Sequence, residues 1–216
     1  GKADGQSMRW GRHADSRRLL VVSCEAVQPM AKWNFKDQFH GVDHDDVGLV
    51  TDVIQALVTA GISDSQMIYA TGHSSGGLFC YRLAKQTDLF AALAPMSCGM
   101  AKEDHTPDEG TRPVSILQVI GDQDKSFHGS SNDNVTMYSA DERIHIWRIF
   151  NQCDARPTIN RPFDNITVRT YGNSNDIEVA LVTVTGEGHH IRHDVRDNTD
   201  SIALNFLMRH RHNSNR

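Results

Sequence analysis

The sequence has no apolar run approaching the length needed to cross a bilayer, and no surplus of positive charge. Its 22 Lys and Arg against 27 Asp and Glu leave a formal charge of −5. That balance lacks the basic footprint of a nucleic-acid binder, so neither a nucleic-acid nor a membrane partner is expected. The one concentrated positive stretch, Arg209 to Arg216, reads as a solvated chain end. No Cys-x-x-Cys pair joins Cys24, Cys80, Cys98 and Cys153, which disfavours a cysteine-built zinc site and leaves free core thiols or one or two disulfides. The first residues lack the apolar core of a secretory signal. Asn134-Val135-Thr136 and Asn165-Ile166-Thr167 fit the loose glycosylation acceptor pattern, so the compartment stays open. There is no internal repeat, low-complexity tract or linker, and residues 1–216 read as a single domain whose apolar share, 38%, allows a core.

Short apolar, β-branched runs alternate with segments of helical period. Leu19-Leu20-Val21-Val22, Met67 to Ala70, Ala91 to Ala94, Val114 to Ile120 and Val179 to Val184 read as strands. Runs this apolar suit strands covered on both faces, as in a parallel sheet. Val47, Val50, Ile54 and Leu57 fall at helical spacing behind Asp43, Asp45 and Asp46, whose charges suit a helix N-terminus, and Gly61 is a stop. Further helices are predicted over Leu78 to Lys85, through Met137, Ala140, Ile144 and Trp147, and through Ile202, Phe206 and Arg209. Cys153 to Asn175, with Pro157 and Pro162, reads as a loop or excursion. This alternation predicts layered α/β architecture. Trp10, Trp33 and Trp147 are read as packing residues.

Between one such strand and helix lies Ile68-Tyr69-Ala70-Thr71-Gly72-His73-Ser74-Ser75-Gly76-Gly77-Leu78. A serine nucleophile must stand clear of its own backbone, which a sharp strand-to-helix turn achieves with small residues two before and two after. Centring G-x-S-x-G on Ser74 puts Gly72 and Gly76 at those places; centring on Ser75 would put His73 where a small residue is needed. Ser74 is therefore the candidate nucleophile, and the main-chain N–H of Ser75 the candidate oxyanion donor. An acid and then a histidine must follow. Asp122 and Asp124 both lie just past the clearest strand. His189, the first residue beyond Gly186-Glu187-Gly188, is favoured as the base, with His190 in reserve.

These residues sit in a wider pattern. Gly41 to Gly48 is close to "VDDVGF", Tyr69 to Gly77 to "YATGMSNGG", Ile120 to Asp124 to "HGTAD", Trp147 to Cys153 to "W…NGC", and Gly186 to His189 to "GGGH"; Tyr81 to Ala84 and Leu89 to Pro95 continue the match. The chain thus resembles the polyhydroxybutyrate depolymerase and feruloyl esterase family of α/β-hydrolases, from about residue 19 onward. The resemblance implies a three-layer α/β sandwich with a mostly parallel sheet, favours Asp124 and His189, and implies hydrolysis of feruloyl- or acetyl-type esters or hydroxyalkanoate polyesters through an acyl-enzyme. It implies no cofactor and no metal, and secretion is suggested on this ground alone. Asn34 after Trp33 matches a "WN" whose role is unassigned. Lys125 replaces the family proline after the acid, and His190-Ile191-Arg192-His193 replaces "TWPG", so acyl preference does not carry over. The family's central strand ending in "LHG", source of the second oxyanion donor, is absent, and the chain reads as the fragment of a longer protein lacking N-terminal strands. Two other classes remain: a metal-dependent hydrolase on His189, His190, His193 and Asp194, and a non-catalytic ligand-binding domain on a hydrolase scaffold.

Overall fold

Four of the apolar runs form the parallel half of one sheet. The structure, a computed structural model, describes residues 3–26, 33–36, 44–132 and 135–212. Helix α1 spans Ala3–Arg17 and α2 Asp46–Thr59; β1 is Tyr69–His73, α3 Ser75–Gln86, β2 Ala92–Met96 and β3 Ser115–Gly121. A short antiparallel ribbon follows, β4 (Ser130–Asn132) with β5 (Val135–Met137), then α4 (Ala140–Phe150). The chain closes with β6 (Thr158–Phe163), β7 (Ile166–Gly172), β8 (Glu178–Val184) and α5 (His193–Met208). The main sheet has the order β1-β2-β3-β8-β7-β6, parallel from β1 through β8 and antiparallel beyond.

Period-2 alternation divides the core. On β3, Ile116 and Ile120 meet Phe79 and Leu83 of α3 and Ile144 and Trp147 of α4, with Val50 and Ile54 of α2 packed alongside. Leu117 and Val119 face Trp10 of α1 and Leu204 and Phe206 of α5. The result is a three-layer sandwich with β2 and β3 buried throughout, which is why their sequences are mostly apolar rather than alternating. Trp10 and Trp147 are buried, and Trp33 stacks on Phe79, so all three pack as expected.

Several boundaries follow local chemistry. Asp45 caps α2, accepting from the Gly48 N–H at 2.8 Å, while the buried carboxylate of Asp46 accepts from the Asn34 N–H at 2.7 Å. This gives Asp46 and Asn34 structural work, tying residues 33–36 to the helix. Asp43, within the "VDDVGF" match, lies outside the described residues, as do Asn134 of one glycosylation pattern and the last four residues of the basic tail. Gly61, at φ 69°, lies just past the α2 end as a stop should. Ser139 and Glu142 form a capping box that starts α4, so Met137, predicted in that helix, belongs to β5.

Two expectations are corrected, and one element appears where none was predicted. Residues Cys153 to Asn175 are not a loop: they include the β6–β7 hairpin. Its outer strand is exposed along its whole length and carries Pro162, tolerable on an edge, so the core-facing signature of a strand is missing. Leu19 to Val22 belongs to no strand among the described residues. A strand is defined by its neighbour, and β1, the sheet margin on this side, does not pair with it; a cavity of about 420 Å³ lined by Leu19, Val21, Ile54, Phe79 and Leu204 lies there. Residues 3–17, which carry no predicted element, form α1. It is held by the fully buried carboxylate of Asp200 in α5, which accepts from Arg9 Nε at 3.0 Å and Arg12 at 3.0 Å.

Candidate active site

Ser74 follows the last residue of β1 and precedes the first of α3. Its backbone takes φ 58°, ψ −118°, a conformation that costs energy in any residue with a side chain. The surroundings hold it there. Its N–H donates to the Met96 carbonyl at 3.0 Å, and its own carbonyl accepts from the N–H groups of Gly77 and Leu78 at 2.9 and 3.0 Å. A Cβ on Gly72 would strike the backbone of Gly76, and one on Gly77 would stand 2.6 Å from the Cys98 sulfur. Gly76 differs from expectation: a Cβ there would meet only the Trp33 indole, at 3.8 Å. Crowding therefore falls on Gly72 and Gly77. The Ser75 N–H, first in the helix, has no acceptor within the helix.

Asp124 lies in the turn after β3. Its carboxylate is buried, with Oδ1 accepting from the Ser126 N–H at 2.8 Å and Oδ2 lying 2.9 Å from His189 Nδ1. The other ring nitrogen of His189, Nε2, is 3.0 Å from the Ser74 hydroxyl. The chain order serine, acid, histidine thus closes into one hydrogen-bonded line. One carboxylate oxygen is fixed by backbone, leaving the other to orient the imidazole. Asp122, the other acid that spacing allows, instead accepts from the Gly186 N–H at 2.8 Å. His190 stacks beside His73, with ring centroids 5.3 Å apart.

The loops carrying Asp124 and His189 are joined directly. The Gln123 N–H donates to the Glu187 carbonyl at 2.9 Å, and the Gln123 amide donates to Asp122 at 3.0 Å. Beyond the join, the buried Glu187 carboxylate accepts from Arg192 N–H at 2.8 Å and Nε at 2.6 Å, securing the approach to α5. His73 is a participant that sequence reasoning left aside: its Nε2 is 2.9 Å from the His189 carbonyl. Only its place beside Ser74 could have drawn attention to it. Burial lowers its proton affinity, and His189, Arg9 and His190 work in the same direction against that hydrogen bond.

The alternative histidine cluster is not assembled. His189 and His190 lie in the loop while His193 opens α5, so His189 and His193 do not share a helix face. Among the described residues no group of three or more His, Cys, Asp or Glu side chains is arranged to hold a metal ion. The four cysteines are all free, three of them buried.

Comparison with known proteins gives the fold its name. An acetyl xylan esterase from Aspergillus awamori superposes with a TM-score of 0.67 over 95% of this chain and 85% of its own, at 14% identity. The chain has a divergent α/β-hydrolase fold. In sequence it is similar to feruloyl esterase B of Piromyces equi, 31% identical over 158 residues that make up 68% of this chain and 29% of that protein. It is also similar to the bifunctional acetylxylan esterase/xylanase XynS20E of Neocallimastix patriciarum, 24% identical over 187 residues, 83% of this chain and 25% of that protein. The α/β-hydrolase chain therefore spans less than a third of the length of either curated relative. No family model matches it.

Proposed function

We propose that this chain hydrolyses carboxylic esters through an acyl-enzyme, with Ser74 as nucleophile, His189 as base and Asp124 as the group that orients the imidazole. The observation that carries the reading is the pair of hydrogen bonds on His189, 3.0 Å to Ser74 and 2.9 Å to Asp124. As Ser74 Oγ attacks the ester carbon, Nε2 takes its proton, and the buried carboxylate stabilises the imidazolium that forms. The Ser75 N–H donates to the developing oxyanion. Collapse of the tetrahedral intermediate releases the alcohol, which takes the proton from Nε2; water then repeats the sequence on the acyl-enzyme. The similarity to a feruloyl esterase and an acetylxylan esterase supports feruloyl- and acetyl-type esters as the substrate class.

The test is a pre-steady-state assay with p-nitrophenyl acetate. The reading expects a burst of nitrophenolate stoichiometric with protein, and its loss in Ser74→Ala. A Ser74→Ala variant that hydrolyses the ester at the wild-type rate would overturn it.

A further inference from the structure

We propose that His73 is a positioning residue, whose ring N–H holds the main chain of the loop bearing His189 and so keeps the imidazole on Ser74. The inference rests on the roles given above to Ser74 and His189.

His73 ends β1 and is the neighbour of Ser74, yet its side chain bonds across 116 residues to the His189 carbonyl at 2.9 Å. A carbonyl can only accept, so the bond requires a proton on His73 Nε2. The ring is also placed by its neighbours, tilted against the His189 ring with centroids 5.0 Å apart and stacked on His190 at 5.3 Å and 18°. The loop has anchors on either side of this point: Gly186 and Glu187 on the Asp122–Gln123 turn, and the Glu187–Arg192 pair. Among the described residues, the bond to His73 is the only main-chain hydrogen bond made by Gly188, His189 or His190. It acts at the residue whose side chain must meet both Ser74 and Asp124. One rigid strand end thereby carries Ser74 and fixes the distance to its base.

A misplacement of about 1 Å at a reacting group can lower a rate by roughly a hundredfold without changing ground-state binding. His73→Phe keeps a ring against His190 but has no donor, whereas His73→Gln keeps an N–H of similar reach. With p-nitrophenyl acetate, His73→Phe is expected to lower kcat by about ten- to a hundredfold with KM within about twofold of wild type. Amide hydrogen exchange at Arg192, whose N–H is bonded to Glu187 at the far end of the same loop, is expected to quicken while Tm holds. His73→Gln should recover most of the loss. Wild-type kcat and exchange in His73→Phe would overturn the proposal, as would equal losses in the Phe and Gln variants. Should His73→Phe fail to fold, His73→Leu takes its place in the same comparison. The exchange arm needs no turnover, so it tests the tie even if the chain cleaves no ester. Loss of activity in Ser74→Ala beside an unaltered His73→Phe would sink this inference alone.

Discussion

The main-chain carbonyl of Glu187 occupies the space that a Cβ on Gly121 would need. This close approach brings the acid loop and the histidine loop together at the ends of β3 and β8, strands paired from Ile116–Val179 to Gly121–Val184. Gly121→Ala must part the two loops or strain them. Overpacking of this kind costs about 1–3 kcal/mol, so Tm should fall, and kcat should fall further than stability loss explains. Calorimetry with steady-state kinetics on one preparation checks both.

The two acids of the β3 turn should differ. Asp124→Asn leaves the shape intact but removes the charge that faces the imidazolium, and a fall in kcat of about 10⁴-fold is expected. Asp122, which holds Gly186 rather than the imidazole, should tolerate asparagine within about tenfold, since an amide oxygen still accepts. Comparable losses in both variants would contradict the assignment.

The two adjacent histidines should separate just as clearly. His189→Ala removes the group bonded to Ser74 and Asp124 and should cost about 10⁴-fold or more in kcat. His190→Ala loses a stacking partner of His73 and should be mild. Rate measurements on the two variants decide between them.

Acid should destabilise the fold partly through His73. Burial holds its proton affinity below the ordinary value of 6.5, and the nearby His189, Arg9 and His190 add to that, opposed by the bond to the His189 carbonyl. The folded chain therefore favours the neutral ring. Its contribution is complete above pH 6.5 and is lost as pH falls through the lower folded-state value. Urea midpoints between pH 7.5 and 5 should decline more steeply for wild type than for His73→Gln.

The thiols should sort by burial. Desolvation pushes Cys98 up to about 12 and Cys153 up to about 11, and Cys80 higher than either. Cys24, also raised by burial, is the one cysteine of the four that is only partly buried. With a disulfide reagent at pH 8, Cys24 should react first in the native chain, and the other three only after denaturant is added.

How far the sequence could be read depended on where each signal lies. The strands β2, β3 and β8 were legible because burial on both faces leaves a mostly apolar run, and α2 because its apolar period and caps are local. Local pattern singled out Ser74 and favoured His189 but left Asp122 and Asp124 open, and only the family resemblance favoured Asp124; the fold brings Ser74, Asp124 and His189 within hydrogen-bond distance. What escaped reading depends on partners distant in the chain. Leu19 to Val22 has the composition of a strand but no pairing, because pairing is a property of two segments. The exposed β6 has pairing without the composition. The His73 contact spans more than half the chain and has no local mark.

Asp200 is wholly enclosed, and its charge is balanced by Arg9 and Arg12 at the other end of the polypeptide. Its helix begins four residues after His189. Trimming the opening turns would strand an anion in the interior, a penalty of about 3–5 kcal/mol. Proteolytic nicking near residue 12 should consequently be felt as slackness around the imidazole, far along the sequence, before Ser74, Asp124 or His189 is touched.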